Sequence, residues 1–158
     1  MTQQTEFRTL QLLRTNLMTR DMKTEHLKRM ATAASEIEFA ADEIIYNPGE
    51  VGRAVYIVTI GEVVIEMEAP GQGLVNVLTI GPGELFGWSS LFPTERKNAR
   101  ARATRPTKAI ALNAEMLRNE WQKDHTLEHA IIQRTAQVMV ERIKLTRQRL
   151  VDAMATEI

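Results

Sequence analysis

Among the 158 residues there is no cysteine, which excludes thiolate zinc sites, cysteine-ligated iron–sulfur clusters, thiol nucleophiles and any disulfide framework. Histidine is scarce too. Only His26, His125 and His129 are present, and all three fall in stretches with helical periodicity. A metal-dependent barrel enzyme of the cupin type needs two or three histidines and a carboxylate on barrel strands. His125 and His129 share one helix face, but no third ligand accompanies them, so surface or dimer-seam positions are expected and no metal or other cofactor is called for. Net charge is also missing: twenty basic residues balance twenty acidic ones, leaving no global field to draw in nucleic acid or an anionic membrane. Any anion site must be local. Finally, the chain has no long apolar run. Its first residues, MTQQTEFRTLQLLRTNLMTRDM, lack the apolar core of a secretory signal, and nowhere do 18 apolar residues follow one another. Arg8, Arg14 and Arg20 invite a transit-peptide reading, which Glu6, Asp21 and the lack of serine oppose. A cytoplasmic protein without membrane association is the expectation.

What is present suffices for one well-packed domain. With 44% hydrophobic residues, a chain of this length can withdraw about 68–70% of its unfolded surface from water without staples. Three periodicities divide it into residues 1–34, 35–112 and 113–158. In the first, Leu10, Leu13 and Leu17, then Leu27, Met30, Ala31 and Ala34, repeat at helical spacing, with Thr24 as an N-cap. From Glu36 to about Leu112 the period is two, clearest in Val55-Tyr56-Ile57-Val58 and Val63-Val64-Ile65-Glu66, and Asn47-Pro48-Gly49, Gly61-Glu62, Pro70-Gly71-Gln72-Gly73 and Gly81-Pro82-Gly83 punctuate it. Short antiparallel strands in a sandwich or barrel follow. The last stretch is helical again, with caps expected at Asn113 and Asp124.

The terminal helix carries a narrow apolar seam. Ile132, Ala136, Met139, Ile143, Thr146, Leu150 and Ala153 follow a 4-3 alternation, with Glu141, Lys144, Arg147 and Arg149 off it. The seam packs either on the chain's own barrel or on a second copy, and a homodimer is the favoured expectation. The charges, balanced overall, are segregated locally. Glu36 to Glu68 holds eight acidic residues and one basic residue, Arg53, whereas Arg96 to Lys108 holds six basic residues and no acidic one. Arg100 and Arg102 are expected either as solvated side chains on a strand face or, with less support, as ligand-facing cations.

The densest anion signal is Gly83-Glu84-Leu85-Phe86-Gly87-Trp88-Ser89-Ser90-Leu91-Phe92-Pro93-Thr94-Glu95-Arg96-Lys97-Asn98-Ala99. A glycine permits close backbone approach, a short helix after it presents amides, and Arg96 and Lys97 supply cations from the next turn. Ser89 and Ser90 have no triad partner and are expected to cap that short helix. In its order of elements, from Asp42-Glu43 through Asn47-Pro48-Gly49-Glu50, Tyr56-Ile57-Val58, Gly61-Glu62 and Gly83-Glu84-Leu85-Phe86-Gly87 to a basic strand and a long terminal helix, the sequence resembles the cyclic nucleotide-binding domain family. The sensor half of catabolite-activator-type regulators is the particular likeness, over roughly residues 27–150.

The resemblance implies a mainly β fold with flanking α: an eight-stranded antiparallel, jelly-roll-like β-roll with N-terminal helices, a long C-terminal dimer helix and a phosphate-binding cassette. The family's cassette reads Phe-Gly-Glu, a short helix, then Pro-Arg-Ser/Thr-Ala. Phe86, Gly87 and Ala99 match it. Trp88 stands where a glutamate accepts the ribose hydroxyl, Arg96 at the proline, Lys97 at the phosphate-clamping arginine and Asn98 at the Ser/Thr. In Met139-Val140-Glu141-Arg142-Ile143-Lys144-Leu145-Thr146-Arg147 the resemblance places Thr146 against the nucleotide base, with Arg142 beside it. The implied ligand set is Phe86, Gly87, Trp88, Ser89, Ser90, Arg96, Lys97, Asn98, Ala99, Arg142 and Thr146, and the implied dimer seam Ile132, Ala136, Met139, Ile143, Thr146 and Leu150.

A tryptophan only donates and a lysine lacks the arginine fork. Losing a carboxylate contact and half a bidentate clamp costs roughly 3–6 kcal/mol, enough to weaken a ~1 µM site to about 0.1–10 mM. The expectation is therefore a ligand-sensing, non-enzymatic dimer that takes a small anionic or nucleotide-like molecule, without an ordinary cyclic AMP site. Trp88 either fills the ribose space or offers a stacking surface. Regulators of that kind append a helix-turn-helix after the dimer helix, and Val151 to Ile158 are too few residues for one. A stand-alone sensor, or a truncated or partner-dependent regulator, is expected, with no direct nucleic-acid binding by this chain.

Overall fold

The computed structural model describes residues 3–16 and 18–156. Two helices, α1 (Gln3–Thr15) and α2 (Thr24–Thr32), lead into eight strands, β1 (Ala34–Phe39), β2 (Ile44–Tyr46), β3 (Ala54–Ile60), β4 (Val63–Ala69), β5 (Gly73–Ile80), β6 (Leu85–Phe86), β7 (Arg100–Ala103) and β8 (Thr107–Asn113). Helices α3 (Ala114–Lys123) and α4 (His125–Thr156) close the described chain. The strands form two four-stranded antiparallel sheets, ordered β1-β8-β3-β6 and β2-β7-β4-β5. This is the eight-stranded roll expected from the sequence. No helix among the described residues is long and apolar enough to cross a membrane.

Alternation along β3 explains how the layers stack. Val55 and Ile57 point one way, into a core shared with Leu13, Leu27, Met30, Leu117 and Trp121 of the helices. Tyr56 and Val58 point the other way, into the roll interior with Val63, Ile80, Phe86 and Ala101. A strand covered on both faces needs a near-continuous apolar run, which Val55 to Val58 supplies. The β3–β4 turn requires glycine. Gly61 has φ of 102°, and a Cβ there would lie 2.4 Å from Thr107 Oγ1 and 2.6 Å from the Pro106 carbonyl.

Helix ends follow local chemistry, with two differences from expectation. Asn113 caps α3 by accepting from the Met116 amide at 2.9 Å, and Asp124 accepts from the Thr126 amide at 3.0 Å at the start of α4. Thr24 is not a cap: Lys23 occupies that position without a side-chain bond, and Thr24 is the first helical residue. Ala34, spaced as a helical residue, is instead the first residue of β1, because α2 ends at Thr32 with Ala33 as its C-cap and Ala34 pairs across with Leu112. Leu17 lies outside the described residues.

Helix α4 has 32 residues, about 48 Å at 1.5 Å per residue, and its two ends differ. Leu127, Ile131 and Thr135, four apart, are buried, and Ile132 also packs on the chain's own core. Ile132, expected in the dimer seam, is thus half-buried against this core, and the start of the helix is held by α2, α3 and the first sheet. Further along the seam, Ile143 is 49% and Leu150 61% exposed, and Val140, Leu145, Val151 and Met154 beside it are exposed as well.

The histidines are not uniformly at the surface. His26 is buried, and its Nε2 lies 3.0 Å from Thr126 Oγ1, joining α2 to the first turn of α4. His125 and His129 are exposed beside it, and no cluster of metal-ligating side chains forms among the described residues.

Candidate functional site

The site is built around the turn that follows β6. Gly87 takes φ of 78°, where a Cβ would lie 3.1 Å from the Ala54 carbonyl and 3.3 Å from the Tyr56 ring. The left-handed turn and the tight fit both select glycine. A single 3₁₀ turn, Trp88–Leu91, follows. It uses the Ser90 amide on the Gly87 carbonyl at 3.1 Å and the Phe92 amide on the Ser89 carbonyl at 3.0 Å, so these two amides are committed within the turn. Neither serine caps it, contrary to expectation.

The serine hydroxyls serve Lys97 instead. Its backbone is held by pairing with the 49–50 segment, donating to the Glu50 carbonyl at 2.9 Å and accepting from the Gly49 amide at 2.7 Å. From there the side chain runs inward to donate to the Gly87 carbonyl at 3.1 Å, Ser89 Oγ at 2.9 Å and Ser90 Oγ at 3.0 Å, with Nζ 4.6 Å from the centroid of the Tyr46 ring. Lys97 is only 6% exposed. Burial lowers its ammonium to about 8, and among the described residues no carboxylate pairs with it. Tyr46 is pushed up to about 12, mainly by burial.

On the side toward α4, a cavity of about 510 Å³ opens between the roll and the helix. Phe86, Gly87, Trp88, Ser89, Arg96, Lys97, Asn98, Ala99 and Arg142 all line it. Two expected residues do not. Ser90 is buried on the far side of Lys97, and Thr146 is exposed, its hydroxyl donating to the Arg142 carbonyl of its own helix at 2.8 Å. From α4 only the other expected residue, Arg142, one turn earlier, lines the cavity; its guanidinium donates to the Leu85 carbonyl and is lowered by burial. Trp88 does not plug the cavity. It is 37% exposed and meets Phe92 edge-on at 6.2 Å and 79°, leaving the space open. Arg96 is tied to the Gly49 carbonyl at 3.0 Å.

Sequence reasoning missed Tyr46, Ile65, Leu78, Phe92, Thr94 and Glu95 in the lining. For Ile65 and Leu78 a signal existed, since both lie on period-two strands and pair directly across β4 and β5. Glu95 is the sole carboxylate lining the cavity, against three cations, Arg96, Lys97 and Arg142.

The basic strand β7 turns out to be neither solvated nor ligand-facing. Arg100 and Arg102 both donate to Glu66, at 2.9 and 3.1 Å, and Arg102 also reaches Asp42 at 2.9 Å. Pairing of β4 with β7 sets Glu66 opposite Arg100, so the segregated charges of the sequence neutralise each other across a sheet. Hydrogen bonds from the two arginines hold the Glu66 carboxyl below its usual range.

A family model described as cyclic nucleotide-binding domain matches residues 36–124, from β1 to the end of α3. The chain belongs to the cyclic nucleotide-binding domain family. A CRP-like cAMP-activated global transcriptional regulator of Mycobacterium tuberculosis is 28% identical over 123 residues, covering 77% of this chain and 53% of the relative. The chain thus spans about half the length of the curated relatives it matches. Among solved structures, a cyclic nucleotide-binding domain from Methylobacillus flagellatus superposes with a TM-score of 0.79 at 18% identity, covering 94% of this chain and 83% of that one. The catabolite activator protein of Thermus thermophilus gives 0.68 at 22% identity, covering 87% and 62%. At these identities the two structures speak for the fold. The family is one of regulatory sensor domains, not of enzymes.

Proposed function

We propose that this cyclic nucleotide-binding domain is a homodimeric sensor whose cavity takes a small anionic or nucleotide-like ligand other than cyclic AMP or cyclic GMP at ordinary affinity. The observation that carries the reading is the buried ammonium of Lys97, which has no counter-ion among the described residues while bordering an open cavity. A buried charge is costly unless paired, so an anion bound beside it recovers stabilisation that the empty site forgoes. Trp88 at the expected ribose acceptor offers a ring face and a donor but no acceptor. We assign binding to Phe86, Gly87, Trp88, Ser89, Arg96, Lys97, Asn98, Ala99 and Arg142, with Thr146 reaching the ligand only if α4 moves.

Residues 1–34 and 113–158 serve in this reading as helical flanks of the 35–112 roll, and the exposed part of α4, through Ala136, Met139, Ile143, Thr146 and Leu150, as its dimer contact. Arg142 supplies the link between them. Its bond to the Leu85 carbonyl fixes α4 to the cassette strand, and an anion that competes for this guanidinium releases the helix. The likeness to a transcriptional regulator supports a cytoplasmic setting and a second reading, in which this domain is the sensor part of a catabolite-activator-type regulator or works with a separate DNA-binding partner.

Calorimetry tests the ligand claim. Cyclic AMP and cyclic GMP are expected to bind no tighter than about 0.1 mM, and a micromolar affinity overturns it. Analytical ultracentrifugation tests the assembly: the wild type is expected as a dimer at micromolar concentration and Ile143→Asp as a monomer. A monomeric wild type overturns the dimer.

A further inference from the structure

A second cavity, about 380 Å³, opens on the opposite side of Lys97 from the first. It is bounded by the 50–54 loop, Tyr46, Tyr56 and Ser90, and it shares only Tyr46 and Lys97 with the first. The two adjacent serines are divided between the cavities. Ser89 borders the first and Ser90 the second, and each hydroxyl accepts from the same ammonium, at 2.9 and 3.0 Å. The third N–H goes to the Gly87 carbonyl at 3.1 Å. An ammonium has three donors, so all are engaged, and each cavity contributes one neutral, replaceable acceptor.

An oxyanion entering from either side is a stronger acceptor than the hydroxyl it displaces, because charge-assisted hydrogen bonds are roughly twice as strong as neutral ones. The second cavity adds a cation of its own. Arg53 lines it and makes no ion pair among the described residues; Glu50 lines it too, its carboxylate accepting from Asn47 Nδ2 at 3.3 Å but keeping its charge, so the anion is held on the side of Arg53 and Lys97. The loop is shaped around the lysine: a Cβ on Gly52 would lie 2.1 Å from Ser90 Oγ and 2.5 Å from Lys97 Cε.

From this geometry we infer that the second cavity is a separate site for a small oxyanion, a phosphate or a short carboxylate, held by Lys97 and Arg53 and antagonistic to the first cavity through their shared ammonium. The antagonism rests on the reading that the first cavity takes an anion; the second site does not. An anion in one cavity neutralises the buried charge, so an anion in the other arrives at a lysine already compensated and binds more weakly.

The test is a titration of the full ¹⁵N-labelled chain with inorganic phosphate, and separately with acetate, at ionic strength matched by chloride. Two groups of amide shifts with different midpoints are expected, one at 52–54 and Ser90, the other at 87–89 and 98–99. Arg53→Ala should weaken the first group about tenfold, with Arg53→Lys restoring most of the loss, and should shift the midpoint of the second group to lower anion concentration because its competitor is weakened; a second-group midpoint that does not move overturns the antagonism. The anion that gives the tighter midpoint at 52–54 identifies the preferred class. Response at 87–89 and 98–99 alone, or an Arg53→Ala chain whose 52–54 midpoint is unchanged, overturns the second site. Response at 52–54 alone supports the second site and overturns the anion reading of the first cavity, and the antagonism with it.

Discussion

Two buried or nearly buried charges lie in this small roll, and they are treated in opposite ways. Glu66 on β4 is enclosed by Arg100 and Arg102, with Asp42 completing the network. Lys97 is enclosed by a carbonyl, two hydroxyls and a tyrosine ring, with no carboxylate. The first arrangement is electrostatically closed and holds two strands and a turn together. The second is closed in hydrogen bonds but open in charge, and it borders two cavities. A buried charge with its counter-ions in place holds elements together, whereas the missing counter-ion at Lys97 is the feature on which the proposed ligand reading rests.

The largest effect should come from breaking the closed network. Glu66→Gln leaves Arg100 and Arg102 without their shared carboxylate and is expected to cost about 3 kcal/mol, lowering the melting temperature by roughly 6–12 °C. Thermal unfolding by circular dichroism reads this, and a shift within 2 °C or so of wild type would show that the network contributes little. Acid should act on the same group. Because the folded carboxyl titrates below its ordinary value of 4.5, its contribution is present above that value and is lost as pH falls through the depressed one.

Supplying the missing charge should make the two regions alike. Trp88→Glu places a carboxylate at the cassette wall next to Ser89. Cyclic AMP affinity is expected to rise about tenfold or more by calorimetry, and the Lys97 ammonium to titrate closer to 10.5 when followed by NMR at its ε-methylene. An unchanged lysine titration would separate Trp88 from the charge question altogether.

The smallest effect is removal of the open charge. Lys97→Met is expected to stabilise the domain by about 1 kcal/mol near neutral pH while abolishing anion binding in both cavities. It should also change the alkaline profile. In the wild type the lysine is charged in both states below about 8; between there and 10.5 only the unfolded chain keeps the proton, so stability rises with pH across that window. Tyr46 opposes it higher up, because between 10 and about 12 the folded chain retains a proton that the unfolded chain has lost, and stability falls. Urea unfolding at a series of pH values should show the rise in wild type and its loss in Lys97→Met, with the fall above 10 kept in both.

The same contrast separates what was legible in the chain from what was not. Period-two alternation, turn glycines, the Asn113 and Asp124 caps and the 4-3 spacing of α4 could be read directly, because each depends on residues within a turn or two of one another. The approach of Phe86-Gly87 to Lys97 was readable as well, through the order and spacing of the cassette. Reading failed at Thr24, which is the first helical residue because Lys23 takes the cap position, at Ala34, where the entry into a sheet overrode helical spacing, and at Ser89 and Ser90, whose hydroxyls serve a partner seven or eight residues away.

Short-range pattern in the sequence therefore determined the short antiparallel strands and their helical flanks, and the likeness to a family, carried by the order of its motifs, determined that the strands form an eight-stranded roll. Only the tertiary structure decided which charges are closed and which are open. Glu66 meets Arg100 and Arg102 across 34 and 36 residues, and of the two expected α4 residues Arg142 lines the cavity and Thr146 does not, the former crossing 57 residues to the Leu85 carbonyl. Such meetings depend on strand register and on where a helix lies against a sheet, and no local pattern encodes either.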